Sequence, residues 1–272
     1  MNSRPILLVM LLSVCALMTL QAQSPYKEID VKDGARIIGT VRCENGNLKE
    51  ILMMERTKDE AVCGRSKTSG HLVVGKNKGV RNAVISLEGI TRGKKETGEM
   101  RFVVNQQGCD YEPHVMVVRL GSQLEIVNSD PILHNVHAYA MTPEVRTLFN
   151  VAQPIKGQRT SIKQMQMNTP GVVMAVCDAG HPWMSAYIIV SDHPYYALTD
   201  DKGNFVLENV PAGTYEVKMW HEGVRVAGVE YEHDKPKKYT FEEPYVSEQK
   251  VTLKEGETQS VDFELVLRKA AN

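Results

Sequence analysis

A short stretch near the middle of the chain concentrates side chains that bind metal ions. It reads CDAGHPWM from Cys177 to Met184, and it places a thiol, an imidazole and a thioether in one loop. Soft sulfur together with imidazole nitrogen favours copper over magnesium, calcium or manganese, and a long axial thioether is typical of mononuclear electron-transfer sites. The stretch therefore predicts a copper site that still lacks one ligand.

The missing ligand is expected to be a second imidazole from elsewhere in the chain. His134 is a candidate because it stands in SDPILHNVHAY, shortly after the strand-like run at residues 124–128. His137 competes with it. Side chains alternate between the two faces of an extended strand, so only one of these histidines can face the metal without a bend in the chain.

Strand signals dominate the sequence around these candidates. Short apolar or alternating runs are separated by clusters of Gly, Pro, Asn and Asp, which is the pattern of β-strands and tight turns. The clearest runs are at residues 36–42, 83–87, 114–118, 186–190 and 215–219. Convincing helical periodicity is absent from the sequence. The pattern predicts an all-β protein built of antiparallel sandwiches and argues against an α/β enzyme.

The first 22 residues have the features of a cleavable secretory signal. Arg4 supplies a positive charge, residues 6–20 form an apolar run, and Leu20-Gln21-Ala22 offers a small-residue cleavage site. The apolar run is too short to favour a transmembrane anchor. We therefore expect an exported mature protein, periplasmic or otherwise outside the cytoplasm, with no transmembrane segment and with room for one large or two modest domains.

The overall charge gives no sign of a nucleic-acid partner. The formal net charge is −1 at pH 7, and the sequence has no long basic run. Electrostatic attraction to phosphate, which dominates nucleic-acid binding, is therefore not expected.

A domain border is expected near residues 192–194. Beyond it, TDDKGNFVLENVPAGTYEVKMWHE reads as three strands joined by tight turns, and alternating apolar residues follow up to Leu265. The sequence thus predicts a metal-binding domain over residues 33–193 and a smaller sandwich over residues 194–272.

Two segments carry a resemblance to a known family. EPHVMVVRLGSQLEIVNSDPILHNV resembles the cupredoxin sequence that leads into the first copper histidine, and VCDAGHPWM resembles the ligand loop between the last two cupredoxin strands. The chain also resembles bacterial envelope proteins that carry a carboxypeptidase-regulatory-like (transthyretin-like) domain behind the copper-type domain. The resemblance implies a Greek-key cupredoxin-like β-sandwich followed by a small β-sandwich of the carboxypeptidase-regulatory type.

Carried onto this sequence, the resemblance implies a ligand set. His134, Cys177 and His181 would be the strong ligands of one copper ion and Met184 its weak axial ligand, so that His134 is preferred to His137. Asn135 would join the two ligand-bearing segments by hydrogen bonds, which orient metal ligands and tune the metal.

The number of copper ions follows from one position. The spacing of Cys177, His181 and Met184 resembles the second half of the ligand loop in the binuclear copper site of cytochrome oxidase subunit II. That resemblance implies that a binuclear site would have a further cysteine four residues before Cys177, where this chain has Val173. The expected site is therefore mononuclear.

The cysteines allow more than one pairing. Without Cys15 of the expected signal, four remain, and an even number in an exported protein can form two disulfides. The resemblance favours a bond between Cys63 and Cys109, because both lie in further segments that match the family, VCG at Cys63 and QGCDYEPHV at Cys109. A bond between Cys43 and Cys63 is the rival pairing.

Two classes of function remain at this stage. The favoured one is electron transfer, with an envelope redox protein such as a cytochrome as partner. The alternative is copper storage or delivery, or an envelope scaffold with a vestigial metal site. A copper enzyme would need further paired histidines, so the protein is not expected to be an enzyme. His114 and the run Trp220-His221-Glu222 are interpreted as structural residues.

Overall fold

A computed structural model describes residues 26–44, 53–68 and 70–268, so the expected signal at residues 1–22 lies outside the described residues. The described chain is nearly all β-structure, arranged as two β-sandwiches, and the expected fold class is confirmed. Its helical elements are one-turn helix α1 (Glu60–Cys63) and two short 3-10 segments, Lys76–Lys78 and Gln164–Met167. Within the described ranges, no helix is long and apolar enough to cross a membrane.

The central sandwich contains all the ligands that the sequence predicts. It has a four-stranded and a five-stranded sheet. In spatial order, the first sheet comprises β10 (Tyr111–Glu112), β9 (Arg101–Gln106), β12 (Gln123–Asn128) and β15 (Arg159–Ile162). The second comprises β11 (Val115–Arg119), β17 (Ser185–Ser191), β16 (Gly171–Val176), β13 (His134–Ala140) and β14 (Arg146–Gln153).

The pairing in the five-stranded sheet positions the metal-binding loop. Strands β16 and β17 are antiparallel neighbours, and residues 177–184 form the loop between them. Strand β13 runs antiparallel to β16 on its other side, with His137 opposite Val176. The first residue of β13 therefore lies beside the loop that follows β16.

The flanking sandwich is built from both ends of the described chain. Its first sheet contains β18 (Tyr196–Leu198), β7 (Val84–Glu88), β20 (Gly213–His221) and β23 (Tyr245–Leu253). Its second contains β19 (Asn204–Val210), β2 (Ala35–Arg42) and β24 (Thr258–Ser260), and β25 (Phe263–Glu264) also pairs with β2.

The flanking sandwich does not follow the expected division of the chain into domains at residues 33–193 and 194–272. Strands β2 and β7 precede the central sandwich in sequence, yet they pair with strands that follow it. The buried residues Ala35, Ile37 and Val41 of β2 belong to the same apolar cluster as Val217 of β20. The flanking sandwich therefore consists of two chain segments, one before and one after the central sandwich in sequence.

Four two-stranded pairs complete the described structure. They are β1 (Lys27–Glu28) with β8 (Arg92–Gly93), β3 (Met53–Glu55) with β4 (Ser66–Thr68), β5 (Val73–Val74) with β6 (Val80–Arg81), and β21 (Val226–Glu232) with β22 (Lys235–Phe241). We call residues 53–68, which contain β3, α1 and β4, the cap segment.

A disulfide ties the cap segment to the central sandwich. It joins Cys63, the last residue of α1, to Cys109 across 46 residues of sequence. The pairing that the resemblance implies is thereby confirmed, and the rival pairing of Cys43 with Cys63 is wrong. Both bonded cysteines belong to the apolar core of the central sandwich, so the bond fixes the cap segment against that core.

Candidate metal centre

Three predicted ligands converge at one end of the central sandwich. The ligand atoms of His134, Cys177 and His181 all lie within 4.8 Å of one another. The Nδ1 atoms of the two histidines are 3.3 Å apart, and the Cys177 sulfur lies 3.6 Å from Nδ1 of His181. One sulfur and two imidazole nitrogens thus face a common point.

The elements described above position each ligand. His134 is the first residue of β13, Cys177 directly follows β16, and Met184 directly precedes β17. The Met184 amide donates a hydrogen bond of 3.0 Å to the His181 carbonyl, which makes this part of the loop a tight turn. Gly180 has φ of 88°, in the left-handed region that favours glycine.

Burial separates these side chains from solvent. His134, His181 and Met184 are fully buried, and Cys177 is 2% exposed. Met184 belongs to the same apolar cluster as Cys177. Within the described chain, Cys177 forms no disulfide, so its thiol is available to a metal ion.

Asn135 joins the two ligand-bearing segments. Its side-chain oxygen accepts hydrogen bonds from the amides of Asp178, at 2.6 Å, and Ala179, at 3.1 Å. Its side-chain nitrogen donates to the Asn150 side chain at 2.8 Å, which fixes the orientation of the Asn135 amide group. The strand that begins at His134 and the loop that carries Cys177 are therefore held in fixed relation.

Two carboxylates orient the histidines from outside. Nε2 of His134 lies 3.0 Å from Asp130, and Nε2 of His181 lies 2.8 Å from Asp59 of the cap segment. A metal-binding histidine usually donates its other N–H to such a group, which sets the tautomer and the ring orientation. With Nε2–H donating to a carboxylate, Nδ1 of each ring is the nitrogen left to bind a metal ion.

Neither carboxylate was predicted from the sequence. Asp130 precedes His134 by four residues and is close enough in sequence to have been considered a partner. Asp59 is 122 residues from His181. No local pattern relates two residues so far apart, and their contact depends on the disulfide-bonded cap segment.

The protonation of the ligands suits metal binding. Burial lowers the pKa of His181 to about 4 and also lowers the pKa of His134, so both imidazoles are neutral at pH 7. Burial raises the pKa of the Cys177 thiol, although hydrogen bonds from the Asn135 and Ala179 backbone and the Tyr111 hydroxyl oppose the rise. The thiol is therefore protonated without metal, and thiolate binding would release its proton.

His137 lies outside this cluster. Its side chain is 16% exposed, and Nδ1 lies 2.6 Å from the carboxylate of Asp178. Nε2 lies 3.0 Å from the Thr147 hydroxyl. Both ring nitrogens thus have other partners, and it is His134 that faces Cys177 and His181.

The residues present fit a copper ion. Two imidazole nitrogens and one cysteine sulfur form the trigonal set that blue-copper sites use, and a buried methionine stands at the end of the same loop. The surroundings are apolar apart from the hydrogen-bonded groups described above.

Asp59→Asn should weaken copper(II) binding by roughly 10- to 100-fold, the usual cost of losing an outer partner of a ligand histidine. The substitution keeps the side-chain shape but removes the charge that supports His181. A competition titration would measure the affinity. Glu60→Gln is the matched control, because it removes the same charge from the next residue, whose exposed carboxylate pairs with Arg65. Equal effects of the two variants would contradict the role of Asp59.

Comparisons with known proteins give structural neighbours only. No family model and no curated protein matches the sequence. A copper-containing nitrite reductase (NirK) from Thermus scotoductus SA-01 is 23% identical with a TM-score of 0.29, over 38% of this chain and 24% of that chain. A purple cupredoxin from Nitrosopumilus maritimus is 22% identical with a TM-score of 0.28, over 33% of this chain and 98% of that chain. Amicyanin from Paracoccus versutus is 21% identical with a TM-score of 0.29, over 36% of this chain and 85% of that chain. The chain is thus similar to cupredoxin structures over little more than a third of its length, and it spans about a quarter of the nitrite reductase.

Proposed function

We propose that this protein is an exported mononuclear copper protein whose function is electron transfer. The observation that carries the proposal is the convergence of the Cys177 sulfur and the Nδ1 atoms of His134 and His181 in one buried site. Bound copper would supply one electron at a time by alternating between copper(I) and copper(II). The thioether of Met184, which is buried at the end of the same loop, would be its fourth and weaker ligand.

The contacts around the ligands support a carrier of electrons. Asp130 and Asp59 hold the two imidazoles, and Asn135 holds the loop that contains Cys177. Ligands that are fixed in this way would change position little between the oxidation states of a bound copper ion, so little reorganisation would accompany each transfer. The protein would thus provide orientation and tuning, and the metal would provide the redox chemistry.

Burial of the ligands also favours retention of the metal. Both imidazoles are fully buried, and the cap segment that covers His181 is held by the disulfide between Cys63 and Cys109. A protein that hands its metal to a partner is expected to present ligands in exposed, flexible segments.

A redox partner, such as an envelope cytochrome, would approach the site through the cap segment. The His181 ring does not reach solvent, but Nε2 contacts Asp59, whose side chain is 33% exposed. The neighbouring Lys58 donates a hydrogen bond of 2.6 Å to the Ala179 carbonyl in the ligand loop. One path from a predicted ligand to the surface therefore runs from His181 through one hydrogen bond to the partly exposed carboxylate of Asp59.

A copper-transfer assay tests the proposal. The loaded protein should keep its copper when it is mixed with a modest chelator in either oxidation state, because the same buried ligands serve both. Ready loss of copper(I) to the chelator would make storage or delivery the better assignment. Failure of the folded protein to take up copper would favour a scaffold with a vestigial site.

A further inference from the structure

A second cluster of metal-binding side chains lies between the two sandwiches. Ligand atoms of His71, His114 and Glu222 are all within 4.8 Å of one another. His71 follows the cap segment, His114 directly precedes β11 of the central sandwich, and Glu222 directly follows β20 of the flanking sandwich. None of these residues belongs to the copper centre.

Each oxygen of Glu222 faces one imidazole. Oε2 contacts Nδ1 of His71, and Oε1 lies 2.5 Å from Nε2 of His114. His71 and Glu222 are each 2% exposed, while the His114 side chain is 17% exposed. A carboxylate buried to this extent needs a positively charged partner, which can be a protonated imidazole or a metal ion.

The other side of the His71 imidazole is also fixed. Its Nε2 lies 3.1 Å from the Ser185 hydroxyl. The His71 ring also packs on Phe241, with 3.8 Å between ring centroids. Outer contacts of this kind commonly orient metal-binding histidines.

The cluster is accessible from solvent through a cavity. His71 and His114 line a cavity of about 800 Å³, together with Asp110, Glu112 and Trp183. His114, the most exposed of the three residues, lines this cavity and contacts the buried Glu222. The cavity also leaves space for water or another small ligand on a bound ion.

From this geometry we propose that His71, His114 and Glu222 bind a divalent first-row transition metal ion, at a site separate from the copper centre. Two imidazoles and one carboxylate suit zinc or iron(II) better than magnesium or calcium, which prefer oxygen ligands. Because His114 adjoins the central sandwich and Glu222 adjoins the flanking one, the ion would join the two sandwiches and stabilise their packing.

The test counts zinc in a protein that lacks the copper centre. In the full chain, the double variant His134→Ala/Cys177→Ser removes two donors of that centre. After metal removal, exposure to Zn²⁺ and desalting, this variant should retain one zinc ion per chain. Adding His114→Gln or Glu222→Gln to this variant should remove the bound zinc ion. The affinity for zinc should fall by more than roughly 100-fold, which is the most that loss of a residue contacting only a ligand usually costs.

Two controls distinguish the site from adventitious binding and from misfolding. His233→Gln replaces an exposed histidine in the turn between β21 and β22 and should leave the zinc content unchanged. Zn²⁺ should raise the melting temperature of the double variant but not that of its His114→Gln derivative. If the double variant does not fold, the same count in otherwise wild-type protein should fall by one zinc ion with His114→Gln.

Absence of bound zinc in the folded double variant would overturn the proposal. Retention of zinc by both the His114→Gln and the Glu222→Gln derivatives would also overturn it. In either case the three residues form a hydrogen-bonded cluster that holds the sandwiches together without a metal ion.

Discussion

Cys177→Ser should abolish the visible absorption of the copper-loaded protein. The absorption of a copper(II)–cysteine site arises from charge transfer between the thiolate and the metal, and serine offers no equivalent donor. Cys177 provides the only sulfur of the converging cluster His134, Cys177 and His181 in the described chain. The visible spectrum and the copper content after one equivalent of copper(II) measure the effect.

Two histidine variants complete this experiment. His134→Ala should remove the colour as Cys177→Ser does, because His134 contributes one of the two converging Nδ1 atoms. His137→Ala should keep it, because that ring faces Asp178 and Thr147 instead. Persistent colour in Cys177→Ser would overturn the ligand assignment, and loss of colour in His137→Ala alone would move the ligand to His137.

Loss of the disulfide should produce the largest change in stability. Replacing Cys63 and Cys109 together with alanine opens a loop that spans 46 residues of sequence. The chain-entropy estimate for a loop of this length is about 4 kcal/mol at 25 °C. Chemical denaturation of the metal-free double variant and the wild type would measure the loss of unfolding free energy.

The variant that lacks Cys63 and Cys109 should still bind copper, because the three converging ligands lie outside the cap segment. Cys43→Ala is a suitable control, because it truncates a buried cysteine of the flanking sandwich and should cost less free energy. An unchanged denaturation midpoint in the double variant would contradict the stabilising role of the disulfide. Loss of copper binding would show that the cap segment is needed to assemble the centre.

The strands could be predicted because their patterns are local. The predicted strands at residues 36–42 and 215–219 correspond to β2 and to part of β20. They could be predicted because an alternating pattern identifies a strand with one buried face. The same pattern does not identify the partner strand. The pairing of β2 with β19 and of β7 with β20 depends on contacts across more than a hundred residues, so the interrupted flanking sandwich was not foreseen.

Prediction of the metal centre had a similar limit. Cys177, His181 and Met184 stand in one loop, and the family resemblance supplied His134 and Asn135. Asp59 could not be found in this way, because the cap segment brings it to His181 from a distant part of the sequence.

The second cluster shows why single residues are hard to interpret. His114 and the run Trp220-His221-Glu222 were interpreted as structural, and no pattern in the sequence relates the two to each other. His114 and Glu222 are 108 residues apart in sequence, and they come into contact where the two sandwiches meet, beside the contact of Tyr187 with Trp220. Residues that meet at the junction of two sandwiches have no characteristic spacing in the sequence, so such a cluster cannot be predicted from it.

Cyclic voltammetry of the copper-loaded protein, with the copper content measured before and after cycling, tests the central claim most directly. An electron carrier with ligands His134, Cys177, His181 and Met184 should give one reversible one-electron wave and retain one copper ion per chain. An irreversible wave, or release of the metal on reduction, would contradict the assignment of electron transfer.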